Sequence, residues 1–189
     1  VVGYDHRFGK NREGSFEELQ ELAPVFDFRV EEISAEDIDE VTISSTKIRN
    51  ALLSGDLETA NSYLGYAYRA QGEVVPGHQQ GSRIGFPTAN IQVTPYKLVP
   101  GDGVYAVEVV IEGKTWKGMA NIGSQPTFSN RTHAFEVHIF DWTQELYGKP
   151  IEVIFKSRLR NEMRFDSVDA LVNQLEKDKF AALNSLSAS

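Results

Sequence analysis

The feature that most limits what this chain can fold into is a change of period at Tyr66. Before about residue 65 apolar residues recur at helical spacing. After it, short runs rich in β-branched and aromatic residues alternate with polar ones and are separated by Gly, Pro and Asn. The alternation predicts strands near Tyr68 to Val75, Val104 to Ile111, Thr115 to Ile122, Ala134 to Phe140 and Ile151 to Arg158, with Glu112-Gly113-Lys114 joining two of them as a hairpin. Short strands with no helices between them need antiparallel partners, so a barrel or a sandwich is expected. A final amphipathic helix starts near Ser167, with Val168, Leu171, Val172 and Leu175 on one face.

The first 65 residues read differently. Ser15 with Glu18 three positions on forms a capping box for a helix through Phe16, Leu19 and Leu22 that closes before Pro24. Ser45 or Thr46 caps a second helix ended by Gly55, and a third runs from Asp56 to Gly65. With the apolar segments Val1 to Gly3 and Phe26 to Val30, these helices suggest α/β structure.

Composition narrows the chemistry. A chain of 189 residues makes one domain, or one domain plus part of another. The absence of cysteine excludes a disulfide framework, a zinc-thiolate site and a cysteine nucleophile, and fits a reducing, cytoplasmic setting. No run approaches the roughly 18 apolar residues of a membrane helix, so a soluble protein with no membrane partner is expected. The net charge of −8 is local: residues 13 to 40 carry eleven acidic side chains against one basic, Arg29. From Tyr66 to Phe165 the balance is near neutral, eleven Lys or Arg to nine Asp or Glu, which suits a phosphate-bearing small molecule and excludes the basic footprint of a nucleic-acid binder.

Residues 77 to 90 concentrate the special side chains. Gly77, Gly81 and Gly85 recur every four residues, and glycines let backbone N–H groups approach phosphate oxygens, with Arg83 as a bidentate donor. Phe86 and Pro87 then lead into Thr88 and Asn90, which share a face of an extended segment and offer the hard oxygen ligands magnesium takes. On spacing alone a surface loop and a turn former explain the same residues. Gly113-Lys114-Thr115 mimics the end of a Walker loop, but Glu108 stands where that motif needs glycine. Glu136 and His138 share one strand face opposite Phe135, Val137 and Ile139, as a base for an alcohol or as plain solvent-facing residues. No catalytic triad or metal cluster assembles from four scattered histidines. Arg160, Met163, Arg164 and Phe165 sit where a phosphate or a flat aromatic ligand is clamped, or in a solvated connection.

Taken in order, Gly85-Phe86-Pro87-Thr88-Ala89-Asn90, Pro100 with Gly103-Val104-Tyr105, Asn121-Ile122-Gly123 with Pro126-Thr127, Phe135-Glu136-Val137-His138, Leu146-Tyr147-Gly148-Lys149 and Arg160 to Phe165 resemble riboflavin kinases over roughly Tyr66 to Ala182. The resemblance implies a six-stranded antiparallel barrel with a C-terminal helix, and transfer of the ATP γ-phosphate to the 5′-hydroxyl of riboflavin to give FMN. It implies that Thr88 and Asn90 hold Mg2+ and nucleotide phosphates, that Glu136 is the base, that the Gly77 to Gly85 loop covers ATP, and that Arg160 to Phe165 closes on the flavin. A catalytically silent flavin-binding barrel is the alternative.

Val2 to Gly9 and Ile43-Ser44-Ser45-Thr46-Lys47-Ile48-Arg49 resemble the later half of the FMN adenylyltransferase module of bifunctional bacterial FAD synthetases, where Ser45, Thr46 and Arg49 would meet ATP phosphates at a helix N-terminus. The early His-x-Gly-His motif of that module is absent. The expected division is therefore a partial adenylyltransferase segment at 1–65, unable to make FAD alone, and a kinase domain at 66–189. Weak order in the acidic stretch, or pairing with another copy as a homo-oligomer, is expected of a half-module.

Overall fold

The computed structural model describes residues 2–3, 7–30, 32–33, 37–38, 41–77, 80–126 and 131–187, and the chain forms two compact units, Val1–Ser44 and Ser45–Ser189. His78, Gln79 and Thr127, which belong to the expected loop and motifs, lie outside the described residues, as do Tyr4 to His6.

In the first unit β1 (Val2–Gly3) precedes α1 (Phe16–Phe26), β2 (Glu32–Ile33), β3 (Asp37–Ile38) and β4 (Val41–Thr42); β1 pairs in parallel with β2, and β3 with β4 antiparallel. The capping box forms as expected, the Ser15 N–H donating to the Glu18 carboxylate at 2.9 Å. The helix does not stop before Pro24. Proline's own φ is helical and only its bond to the preceding turn is lost, so α1 continues to Phe26 and ends at Asp27, left-handed at φ 53, whose N–H bonds the Ala23 carbonyl. The apolar segment 26–30 is the end of α1 and then irregular chain, with strand structure resuming at β2.

The second unit starts with α2 (Ser45–Ser54) and α3 (Leu57–Leu64), so both helices belong with the strands beyond Tyr66 although they precede the change of period. Leu52, Leu57 and Ala60 are buried in one core with those strands. The Asn61 side chain donates to the Phe155 carbonyl at 3.2 Å and accepts from the Tyr68 N–H at 2.8 Å, tying α3 to residues of the barrel. Ser45 and Thr46 occupy the first turn of α2 rather than a position ahead of it. Asp56 and Gly65 cap α3 as their residue types suggest.

The barrel has six strands: β5 (Arg69–Val75), β6 (Ala89–Val93), β7 (Gly103–Ile111), β8 (Lys114–Pro126), β9 (Arg131–Ile139) and β10 (Pro150–Arg160), with the short turn α4 (Gln80–Arg83) between β5 and β6. They close in the order β10-β5-β6-β9-β8-β7, every pairing antiparallel, which bears out the expected architecture. Glu112 and Gly113 both have positive φ, the conformation a two-residue hairpin between right-twisted strands requires. β6 is too short to stand out by composition, yet Ala89, Ile91 and Val93 face the core while Asn90 and Gln92 do not.

The interior is filled by Tyr105, Val107, Val109, Val137, Val153 and Phe155, with Tyr105 edge-on to Phe155 at 5.6 Å. A second cluster lies outside the barrel wall, where α5 (Val168–Ser185) packs Val172, Leu175, Ala182 and Leu183 against Phe86, Ala106, Met119 and Phe140. β7 is therefore buried on both faces, which is why its sequence is almost continuously apolar. Val168 is 60% exposed instead of packed, because side chains lean toward a helix N-terminus and the first residue leans past the contact face.

Candidate active site

Two cavities flank the turn that leads into β6. The first, about 300 Å3, lies between the outer barrel wall, the turn and α5; Phe86, Thr88, Glu136, Met163 and Phe165 are among its walls. The second, about 330 Å3, lies on the other side of the turn, against Ser82, Pro87, Trp142, Gln144 and Tyr147. Thr88 lines both.

Strand register sets what stands beside Glu136. In β9 the residues Phe135, Val137 and Ile139 enter the barrel core, which turns Glu136 and His138 outward into the first cavity. Glu136 pairs with Asn90 of β6 on one side and with Asn121 of β8 on the other, so the carboxylate stands in a row between two amides. Asn121 also lines the cavity, and its signal was the Asn-Ile-Gly string ahead of β8's end. Asn90 lines neither cavity; its side chain lies where a Cβ on Gly77 would sit, so only glycine leaves it room.

The turn itself is built around glycine. The Phe86 N–H bonds the Gly81 carbonyl at 2.8 Å, and a Cβ on Gly81 would collide with the Phe86 carbonyl oxygen. That same Cβ would stand 3.5 Å from Thr88 Oγ1, so the turn folds back on the threonine. Gly85 is left-handed at φ 86. Arg83 ends α4 exposed and lines neither cavity.

His138 is not a solvent-facing strand residue. It is 8% exposed, its ring 5.2 Å from Phe86 and 5.6 Å from Phe140, with Nδ1 2.7 Å from the Pro87 carbonyl oxygen. Burial holds its pKa below the ordinary 6.5, against the opposing pull of the Pro87 carbonyl. Periodicity placed His138 on the right face, but that Phe86, Pro87 and Phe140 close over it is a tertiary fact.

Past β10 the chain is pinned at the cavity rim. Arg160 is held by Asp178 of α5, and the Glu162 carboxylate lies over Gly123, where any side chain would displace it. Met163 and Phe165 face the cavity, whereas Arg164 is exposed and lines neither cavity. Leu171 and Leu175, a turn apart on α5, complete an apolar wall that the helical periodicity foreshadowed. Ser45, Thr46 and Arg49 are exposed on α2 and belong to neither cavity.

These features can be set beside known proteins. The family described as Riboflavin kinase matches residues 64–186, and that described as FAD synthetase matches residues 1–47. A Haemophilus influenzae protein named bifunctional riboflavin kinase/FMN adenylyltransferase is 44% identical over 182 residues, covering 94% of this chain and 58% of that protein. Its namesake in Escherichia coli K12 is 42% identical over 187 residues, covering 96% and 58%. A crystal structure of a Streptococcus pneumoniae protein named Macrolide-efflux Protein is similar at a TM-score of 0.85 and 38% identity, covering 97% of this chain and 59% of that one. No helix among the described residues is long and apolar enough to cross a membrane. The chain thus spans less than two thirds of the relatives it matches. With most of its length matched, the barrel unit included, the chain belongs to the riboflavin kinase family.

Proposed function

We propose that this chain is an ATP-dependent riboflavin kinase, transferring the γ-phosphate of ATP to the 5′-hydroxyl of riboflavin to give FMN and ADP, in a cytoplasmic setting where ATP is available. The observation that carries the reading is that Thr88 lines two cavities, one on either side of the turn, while the register sets Asn90 directly against Glu136. The first cavity has the apolar walls a flat isoalloxazine ring needs, in Met163, Phe165, Leu171 and Leu175. The second, beside Ser82 and Pro87, takes the nucleotide, with the terminal phosphate at Thr88. The loop from Gly77 through Gly81, Arg83 and Gly85 to Phe86 would cover the nucleotide from between the two cavities, Ser82 and Pro87 facing the nucleotide side while Gly81 and Phe86 also wall the flavin side, and Arg160 to Phe165 would close on the flavin.

Glu136 accepts the proton of the ribityl 5′-hydroxyl as that oxygen bonds to the γ-phosphorus and the bond from phosphorus to the ADP oxygen breaks. The negative charge leaves with ADP, and the walls of the two cavities hold alcohol and phosphate in line. Thr88 and Asn90 suit Mg2+: both offer neutral oxygen donors, and Gly77 leaves space for the Asn90 amide where a Cβ would stand. Bound there, the ion would neutralise phosphate charge. No cluster of three carboxylate or imidazole groups occurs among the described residues, so its other ligands would come from phosphate and water.

The match of residues 1–47 supports a second activity, adenylation of FMN, for the protein as a whole, with residues 66–189 as the kinase domain and Ser45, Thr46 and Arg49 serving the ATP of that second reaction. The test of the kinase reading is incubation of the purified chain with riboflavin, ATP and magnesium, with products identified by mass. FMN and ADP are expected in equal amounts; flavin binding with no ATP consumed overturns the reading in favour of a silent flavin-binding barrel.

A further inference from the structure

The buried ring of His138 has no role in phosphoryl transfer as derived from Thr88, Asn90 and Glu136, although it touches the segment on which that transfer turns. Phe86 is tied by its N–H to Gly81, and the ladder with β9 begins at Ala89. Between them stands Pro87, which has no N–H to donate, so its carbonyl is the atom by which its backbone can be anchored. That carbonyl lies 2.7 Å from His138 Nδ1. The same ring packs against Phe86, so one side chain grips the turn on both sides of the Phe86–Pro87 bond.

We propose that His138 is a positioning residue for phosphoryl transfer, setting the orientation of the Pro87–Thr88 peptide, and through it the Thr88 hydroxyl, at the junction of the two cavities. The proposal rests on the kinase reading for its consequence, but not for its geometry. A carbonyl oxygen only accepts, so Nδ1 carries the proton and, in the neutral ring, Nε2 carries the lone pair. Glu136, two residues back on the same face of β9, is set against Asn90 by the β6–β9 ladder and not by the ring. Losing the tie therefore moves the phosphate side of the site relative to the base, and misplacement of that order costs turnover rather than flavin affinity.

Two substitutions separate the hydrogen bond from the packing. His138→Phe keeps an aromatic ring between Phe86 and Phe140 and removes the donor; His138→Asn keeps a donor near the Nδ1 position and removes the ring. We expect His138→Phe to lower kcat about tenfold with KM for riboflavin within about twofold, and His138→Asn to retain more than about half of wild-type kcat. Equal losses in both, a larger loss in His138→Asn, or none in either would overturn the proposal. The second measurement uses the wild-type chain without substrate. The 15N shifts of the His138 ring should report a protonated Nδ1 and a bare Nε2, and the opposite tautomer would overturn the proposal even if the variants fail to fold. Wild-type FMN formation is the separate control: its absence refutes the kinase reading and leaves the tautomer to decide the hydrogen bond.

Discussion

Arg160 at the end of β10 and Asp178 on α5 meet through three short contacts: Nε lies 2.9 and 3.0 Å from the two carboxylate oxygens, and Nη2 lies 2.7 Å from one of them. Gln174 donates to the same carboxylate at 2.8 Å, and the Asp178 side chain is 4% exposed. The pair binds the start of the segment after β10 to the helix that walls the first cavity. Removing one partner leaves the other charge partly buried, so Asp178→Ala should lower unfolding free energy by about 3 kcal/mol, read by urea denaturation. A loss below about 0.5 kcal/mol would show that the pair is inert.

Glu136→Gln preserves the shape and register of β9 while removing the proton acceptor. Turnover should fall at least about 100-fold with the thermal midpoint nearly unchanged. Steady-state FMN formation is the measurement, and undiminished kcat removes Glu136 from the mechanism.

The buried His138 makes stability depend on pH in a definite direction. Its folded pKa is depressed below the ordinary 6.5, so unfolding takes up a proton once the pH falls below that value. Its contribution is fully present above about pH 6.5 and is lost as pH falls toward the folded pKa. Lys179 and Glu176 from α5 and Asp141 after β9 act on the ring with opposing signs and leave burial in control, with Glu136 on the same strand. Urea midpoints at about pH 7.5 and about pH 5.5 should therefore diverge more in the wild type than in His138→Phe. Equal divergence would assign the acid sensitivity to other groups.

Phe165 and Arg164 are neighbours with opposite placement. Phe165→Ala should raise KM for riboflavin about tenfold by removing an aromatic wall, whereas Arg164→Ala should stay within about twofold. Comparable effects from both would remove Phe165 as a wall of the flavin site.

Parts of this site are visible in the sequence for local reasons. Glycine at 77, 81 and 85 followed by Phe86-Pro87 marks a turn with close backbone approach, and alternation in β9 puts Glu136 and His138 on one face. Asn121 was visible only as part of a motif, since its meeting with Glu136 depends on which strand β9 chooses as neighbour. The packing of α2 and α3 with the barrel was equally hidden: Leu52 and Leu57 read as one face of short helices, and nothing local says what that face meets.

The sequence by itself determined the alternation that builds the barrel, the capping box of α1, the caps of α3, and the face to which each strand residue belongs. These are set by backbone sterics and hydrogen bonding within a few residues. Only the tertiary structure decided that Glu136 stands between Asn90 and Asn121, that Phe86 and Phe140 enclose His138, and that Thr88 is shared by two cavities. Those relationships come from strand order and from the helix that covers one barrel wall, and are selected by burial of apolar surface summed over the whole unit.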